Sequence, residues 1–321
     1  MRLPAHRPHL QRIVRSRRVR LAFLLSASLG ATAAGGLAVR HYATTGWPLT
    51  HGNSWLIAVA GVLFLLAFAL KGAGWRRLLA RSERPGSHAL AAANAAASVT
   101  GLALPGRFDD VVRIAVARRF SSRAGLGALC LSLVLVGLID SAALMPIASV
   151  AAGLGGVSTG VRAGLAVVGA AGVAAAAVVL ALPWISRSAS LARFRLGRWL
   201  GRHTTSTQDS TRAWAIVSGS WIVRVLALYV LLGALGVGHS FPLALLFVSA
   251  SAAAAVLPLG PAGAATQVGA GAAVLAAAGV PTSQAVAFGL AAQALVVLAG
   301  AAVVVLAGAW EVRLRLVAAR S

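Results

Sequence analysis

The sequence predicts an all-α polytopic membrane bundle of six full spans and two broken, re-entrant hairpins, arranged as an inverted repeat. Three observations carry this. The chain is 59% hydrophobic with a mean hydropathy of +0.85, and several of its windows of about 20 residues, long enough to cross hydrocarbon as helices, are nearly free of charge. Its 29 basic residues, against six acidic ones, gather in clusters between those windows. Two further apolar regions are each interrupted by Pro and Gly, at equivalent places in the order of elements. The alternative is eight full spans, with each hairpin arm crossing on its own.

The elements follow in order. Residues 1–18 form a basic N-terminus. The apolar run Leu21–Val39 reads as a retained first span, about 19–40. Ala31-Thr32-Ala33 imitates a peptidase site and Ser16-Arg17-Arg18 a twin-arginine signal, but the run exceeds a leader's apolar core and Arg20 stands where that signal has an apolar residue. The second span is 54–71. The first broken region, 88–120, is small and apolar up to Leu104-Pro105-Gly106-Arg107-Phe108-Asp109-Asp110 and helical again to Phe120. Spans at 125–150 and 161–185 follow. Residues 187–202 mix Arg with Leu191, Phe194, Leu196, Trp199 and Leu200, the pattern of an amphipathic helix on the inner leaflet. A span at 213–236 leads to the second broken region, 242–280, interrupted at Leu257-Pro258-Leu259-Gly260-Pro261-Ala262-Gly263. The last span is 283–308, and 311–321 form a tail. The transmembrane domain is thus 19–310, with halves 19–152 and 160–310.

Charge sets the topology. Residues 1–20, 71–84, 107–123, 186–212 and 313–320 hold 26 of the 29 basic residues, while 41–53, 151–160 and 237–241 hold none. Basic loops favour the cytoplasmic side, which puts both termini there. The first broken region then enters from the cytoplasm and returns, and the second dips in from outside. Proline and glycine break a helix at membrane depth only where the backbone is buried in protein or faces water. A helix restarting after each break aims free N–H groups inward, a geometry suited to a phosphate.

The same composition excludes other classes. A net charge of +23 fits anionic headgroups and membrane orientation, because the Arg residues sit in loops and no nucleic-acid-binding motif accompanies them. One cysteine, Cys130, excludes an intramolecular disulfide and a multi-cysteine metal site, and the seven His are scattered. No metal or other cofactor is expected. No nucleophile or His–carboxylate set suggests an intramembrane enzyme. Trp47, Trp55, Trp184, Trp199 and Trp214 fall near the ends of spans and read as interfacial anchors.

Charged residues beside the breaks mark the candidate site, since ionisable groups in lipid are costly and point to a cavity or a transport path. Arg107 and Arg113 suit a lipid phosphate. Equally, they serve as positive-inside anchors or as partners of Asp109 and Asp110, with Asp109 and Arg113 at i, i+4 spacing. Asp140 lies mid-span and must be protonated, paired or hydrated. Arg224, mid-span in the other half, is the expected partner, and the alternative is that Asp140 carries a proton during transport. Gln267, Gln293 and Asn94 read either as cavity lining or as polar contacts between helices.

The run Asn94…Leu104-Pro105-Gly106-Arg107…Asp110…Arg113 with a later Asp140, the segment Leu70–Leu79 around Trp75-Arg76, and the late Pro258-Leu259-Gly260-Pro261-Ala262-Gly263 followed by Ala278-Gly279-Val280 resemble the transmembrane region of lysylphosphatidylglycerol synthases, the flippase-like domain family, over roughly residues 20–310. Phe108-Asp109 replaces that family's apolar-Gly pair, Ala262 replaces a Gly, and Gln267 stands near where members carry a Glu, a change that bears on ion coupling. The resemblance implies a bacterial inner-membrane protein that translocates an anionic phospholipid or a polyprenyl-phosphate-linked headgroup. Arg107, Arg113, Asp110, Pro105, Gly106, Gly260, Gly263 and Gln267 would surround the headgroup, and Asp140 with Arg224 would form the intramembrane pair. The alternative is a membrane scaffold that does not transport and assists a partner enzyme acting on lipid or glycan. Fused members carry an aminoacyl-transferase domain. This chain ends just past its last span, so lysyl-lipid synthesis is not expected of it.

Overall fold

The computed structural model describes residues 46–101, 108–120, 124–154, 158–186, 193–256 and 263–318, together with Arg40, Thr44 and Ser188. The first expected span therefore lies outside the described residues apart from Arg40. So do Pro105, Gly106, Arg107 and Gly260.

Among the described residues the structure is all helical. In chain order the helices are α1 Ser54–Arg77, α2 Ser87–Thr100, α3 Phe108–Phe120, α4 Leu126–Gly153, α5 Thr159–Ile185, α6 Arg195–His203, α7 Thr207–Ala234, α8 Phe241–Val256, α9 Gly263–Ala277 and α10 Thr282–Ala318. Five of these, α1, α4, α5, α7 and α10, are long and apolar enough to cross a bilayer. Their starts follow from local chemistry. Asn53 caps α1, its Oδ1 accepting from the Trp55 and Leu56 N–H groups at 3.1 and 3.3 Å. Ser206 caps α7 by accepting from the Asp209 N–H at 3.1 Å. α7 ends where Gly236, at a φ of +70°, lets the chain turn back and the Val237 N–H reach the Leu232 carbonyl.

In each of the two broken regions the two described helices pack on one another, α2 on α3 and α8 on α9. Their arms contain 14, 13, 16 and 15 residues. The longest is about 24 Å from end to end at 1.5 Å per residue, against a hydrocarbon thickness of about 30 Å. No arm, as far as it is described, reaches that length. At the other extreme α10 has 37 residues, about 55 Å. It continues through Arg313 into the stretch expected as a separate tail.

The contacts of the two halves correspond. α1 and α7, the second spans of the two halves, make the most extensive contact among the described residues. α2 packs on α1 and α10, and its counterpart α8 packs on α7 and α4. Exchanging the halves thus maps these contacts onto one another. The antiparallel α1/α7 pair is fastened at both ends. At one end the Asn53 N–H donates to the Ala234 carbonyl at 2.9 Å. At the other, Arg84 meets Asp209 at 2.9 Å and Arg77 approaches it at 3.7 Å. Gly72 and Gly74 allow the close approach along α1. A Cβ on Gly72 would lie 2.6 Å from the Ala91 backbone nitrogen, and one on Gly74 2.6 Å from Val217 Cγ2.

Candidate functional site

The apolar interior is divided. One cluster gathers Trp75, Leu78, Leu129, Ile139 and Val217. The other gathers Phe64, Phe68, Leu144, Val225, Phe247 and Phe288. On α1 the boundary falls between Trp75 and Phe68, on α4 between Ile139 and Leu144, and on α7 between Val217 and Val225. Lys71, Asp140, Trp221 and Arg224 occupy that boundary, so a charged layer crosses the middle of the bundle.

The layer is built around the α1/α7 crossing. Lys71 and Arg224 stand equally far along their helices from Ser54 and Thr207. Each lies against the aromatic ring one turn before the other: Lys71 Nζ is 5.8 Å from the Trp221 ring centroid, and the Arg224 guanidinium is 5.6 Å from that of Phe68. Arg224 also covers Trp221 at 5.1 Å. Desolvated contacts of this type contribute about 2 kcal/mol. They let a cation stay in an apolar bundle without a carboxylate.

Asp140 enters from α4. Its Oδ2 lies 2.7 Å from Lys71 Nζ, and its Oδ1 accepts from Trp221 Nε1–H at 3.0 Å. The expected ion pair of Asp140 with Arg224 is therefore replaced by one with Lys71. The reason is packing. The guanidinium is held between Phe68 and Trp221, while Trp221 and Lys71 take one carboxylate oxygen each. Arg224 has no carboxylate within ion-pair distance among the described residues, and its buried Nε has no hydrogen-bond partner.

Arg113 reaches the same region from α3 and lies within electrostatic range of both Lys71 and Arg224. It pairs with Asp109 at 3.2 Å and Asp110 at 2.9 Å. These carboxylates sit in the first turn of α3, where they also oppose the helix dipole. The i, i+4 pairing expected from the sequence is present, and Asp110 adds a second contact. The Arg113 Nε is buried and unpartnered. Three cations from three helices thus converge. Three carboxylates accompany them, Asp109 and Asp110 on Arg113 and Asp140 on Lys71, so the charges are equal in number, and Arg224 is the cation with no carboxylate at contact distance among the described residues.

The remaining candidates lie elsewhere or outside the described residues. Gly263 opens α9. Gln267 joins the arms of the second hairpin through its carbonyl, which accepts from Ser251 Oγ at 3.0 Å. No hydrogen bond links its side chain to the charged layer among the described residues. Asn94 is buried, its Nδ2 donating to the Leu90 carbonyl at 3.1 Å while its Oδ1 has no partner. Arg107, Pro105, Gly106 and Gly260 are outside the described residues. Within the amphipathic stretch the described helix is α6, where Trp199 stacks on His203 at 4.8 Å and abuts Gly127 at the start of α4.

Lys71 was not a sequence candidate. It closes the expected 54–71 span and was counted with the basic loop that follows. The helix instead continues to Arg77 and buries Lys71 to 9% exposure. One signal was available: Lys71 is the only lysine among 29 basic residues. A family model for the lysylphosphatidylglycerol synthase TM region matches residues 15–309. No curated protein and no solved structure matches the chain.

Proposed function

The chain belongs to the lysylphosphatidylglycerol synthase TM region family, and on that premise we propose that this multi-pass integral membrane protein translocates an anionic phospholipid or a polyprenyl-phosphate-linked headgroup without covalent chemistry. The observation that carries the reading is Arg224 at mid-bundle, a cation with no carboxylate at contact distance among the described residues. Arg224, with Lys71 and Arg113 in electrostatic range, offers guanidinium donors to one anionic headgroup at the boundary between the two apolar clusters. Burying a charge without a partner is costly, so an anion that completes the layer lowers the cost for both. Guanidinium groups suit phosphate because their donors match its oxygens and they keep their charge. In this reading the membrane is the bacterial inner membrane and both termini are cytoplasmic, supported by the basic clusters.

The test is transport by the full chain in phosphatidylcholine vesicles carrying acyl-chain-labelled phosphatidylglycerol, with surface quenching to report its leaflet. Wild type moves the label faster than protein-free vesicles do. Arg224→Gln slows movement by at least about tenfold, because a charge-assisted hydrogen bond of about 1.5–3 kcal/mol is lost. An Arg224→Gln chain that is folded and transports at the wild-type rate would sink the proposal. A wild type that moves no label would favour a scaffold that serves a partner enzyme.

A further inference from the structure

Two equivalent cations face each other across the α1/α7 crossing, and among the described residues only one has a carboxylate at contact distance. Lys71 holds Asp140, while Arg224 keeps a buried Nε with no partner. The carboxylate therefore occupies, on one side of the crossing, the place that a headgroup oxygen would take on either. We propose that Asp140 is an internal counter-anion which the arriving headgroup displaces from Lys71, so that binding of one headgroup takes up one proton on Asp140. This rests on the reading of the layer as a headgroup site.

The groups around Asp140 set the stoichiometry. Facing it are Lys71 from α1 and Trp221 and Arg224 from α7. Arg113 of α3, itself held by Asp109 and Asp110, reaches Lys71 and Arg224. The other helices packed on α4 add little: α5 has only Arg162, in its first turn, and α8 has no titratable residue. On α4 itself the only other titratable group is Cys130, near its start. When a phosphodiester monoanion takes both Lys71 and Arg224, their two positive charges meet the one negative charge of the phosphate and that of Asp140. Asp140 has then lost its only cation at contact distance and keeps a single neutral donor, Trp221 Nε1–H on Oδ1. A charge between Ile139 and Ala143, both buried, is costly without a contact cation, and a proton removes that cost. The proton is drawn from solvent and adds to Oδ2, the oxygen that Lys71 leaves. The protonated acid and the bound phosphodiester leave the layer with the net charge it had before binding. No other group changes charge.

The experiment is calorimetric titration of the purified full chain, in non-ionic detergent, with dihexanoyl phosphatidylglycerol, repeated in two buffers of different ionisation enthalpy. The expected result is uptake of close to one proton per lipid bound. Affinity should rise about tenfold for each pH unit of acidification while Asp140 is ionised in the free protein, as linkage requires for one proton taken up. Asp140→Asn should bind with no proton uptake, with an affinity independent of pH and above that of wild type at alkaline pH. Binding by wild type with no proton uptake and no pH dependence overturns this inference and leaves the headgroup site standing. No binding by wild type at any pH overturns the headgroup site and the inference with it. The wild-type measurement decides even where Asp140→Asn fails to fold. In a folded Asp140→Asn chain, proton uptake equal to wild type assigns the proton elsewhere and overturns the role of Asp140.

Discussion

Lys71 and Asp140 are a charge pair in the middle of an apolar bundle, 2.7 Å apart with side chains 11% and 19% exposed. Taking two ions out of water costs several kcal/mol each, and their attraction roughly offsets it only while both are present. The stability effects of the two residues are therefore strongly non-additive. Lys71→Met or Asp140→Leu alone leaves one buried charge unpaired and should destabilise by about 3–5 kcal/mol, whereas the double substitution should be near neutral. Unfolding in mixed micelles by titrated SDS measures this, and single substitutions without effect would show that water reaches the pair freely. The residue scale is also where the sequence was least legible. Asp140 and Arg224 stood out as lone charges within spans, but spacing along the chain gives no distance between helices. The pairing of Asp140 with Lys71 depends on Trp221 and Phe68 holding Arg224 to one side.

At the scale of elements, the α1–α2 crossing depends on how closely two backbones approach. A Cβ at Gly72 would stand 2.6 Å from the Ala91 backbone nitrogen, and neither backbone can yield without moving its helix. Gly72→Val should cost about 1–3 kcal/mol by overpacking and should slow lipid movement, since Lys71 is the preceding residue. The same SDS titration and vesicle assay read both effects, and unchanged stability would mean that the crossing is looser than described. The boundaries of the long helices were largely legible, because apolar runs of that length leave few alternatives in lipid. The expected spans 125–150 and 161–185 correspond to Leu126–Gly153 and Thr159–Ile185. Helix ends that run on past the apolar stretch were not. α1 passes Lys71 to Arg77 because Gly72 and Gly74 fit against α2 and α7 and Trp75 packs inside, its Nε1–H donating to Ser132 Oγ at 2.8 Å.

For the whole molecule the inverted repeat expected from the sequence makes a topological prediction. Single cysteines placed at 107–113 in a chain lacking Cys130 should react with a membrane-impermeant reagent from the cytoplasmic side, and those at 260–267 only from the opposite side. Labelling of each segment from the wrong side alone would mean that the arms cross the bilayer, and the charged layer would need a new frame. The contacts already follow the exchange of halves, with α2 on α10 matched by α8 on α4. That arrangement places the α1/α7 crossing, and with it the two cations, at the centre of the molecule.

The sequence by itself determined that this protein is helical, crosses the membrane repeatedly, and carries paired helix breaks with isolated charges between them. Lipid forces those features to be local, since each helix must satisfy its own backbone and each charge must be exceptional. Only the tertiary structure decided which charge meets which. Lys71, Asp140 and Arg224 come from helices far apart in the chain, and their partners are set by the crossing of α1 and α7, the close approach that Gly72 and Gly74 permit, and the aromatic rings that hold each cation in place.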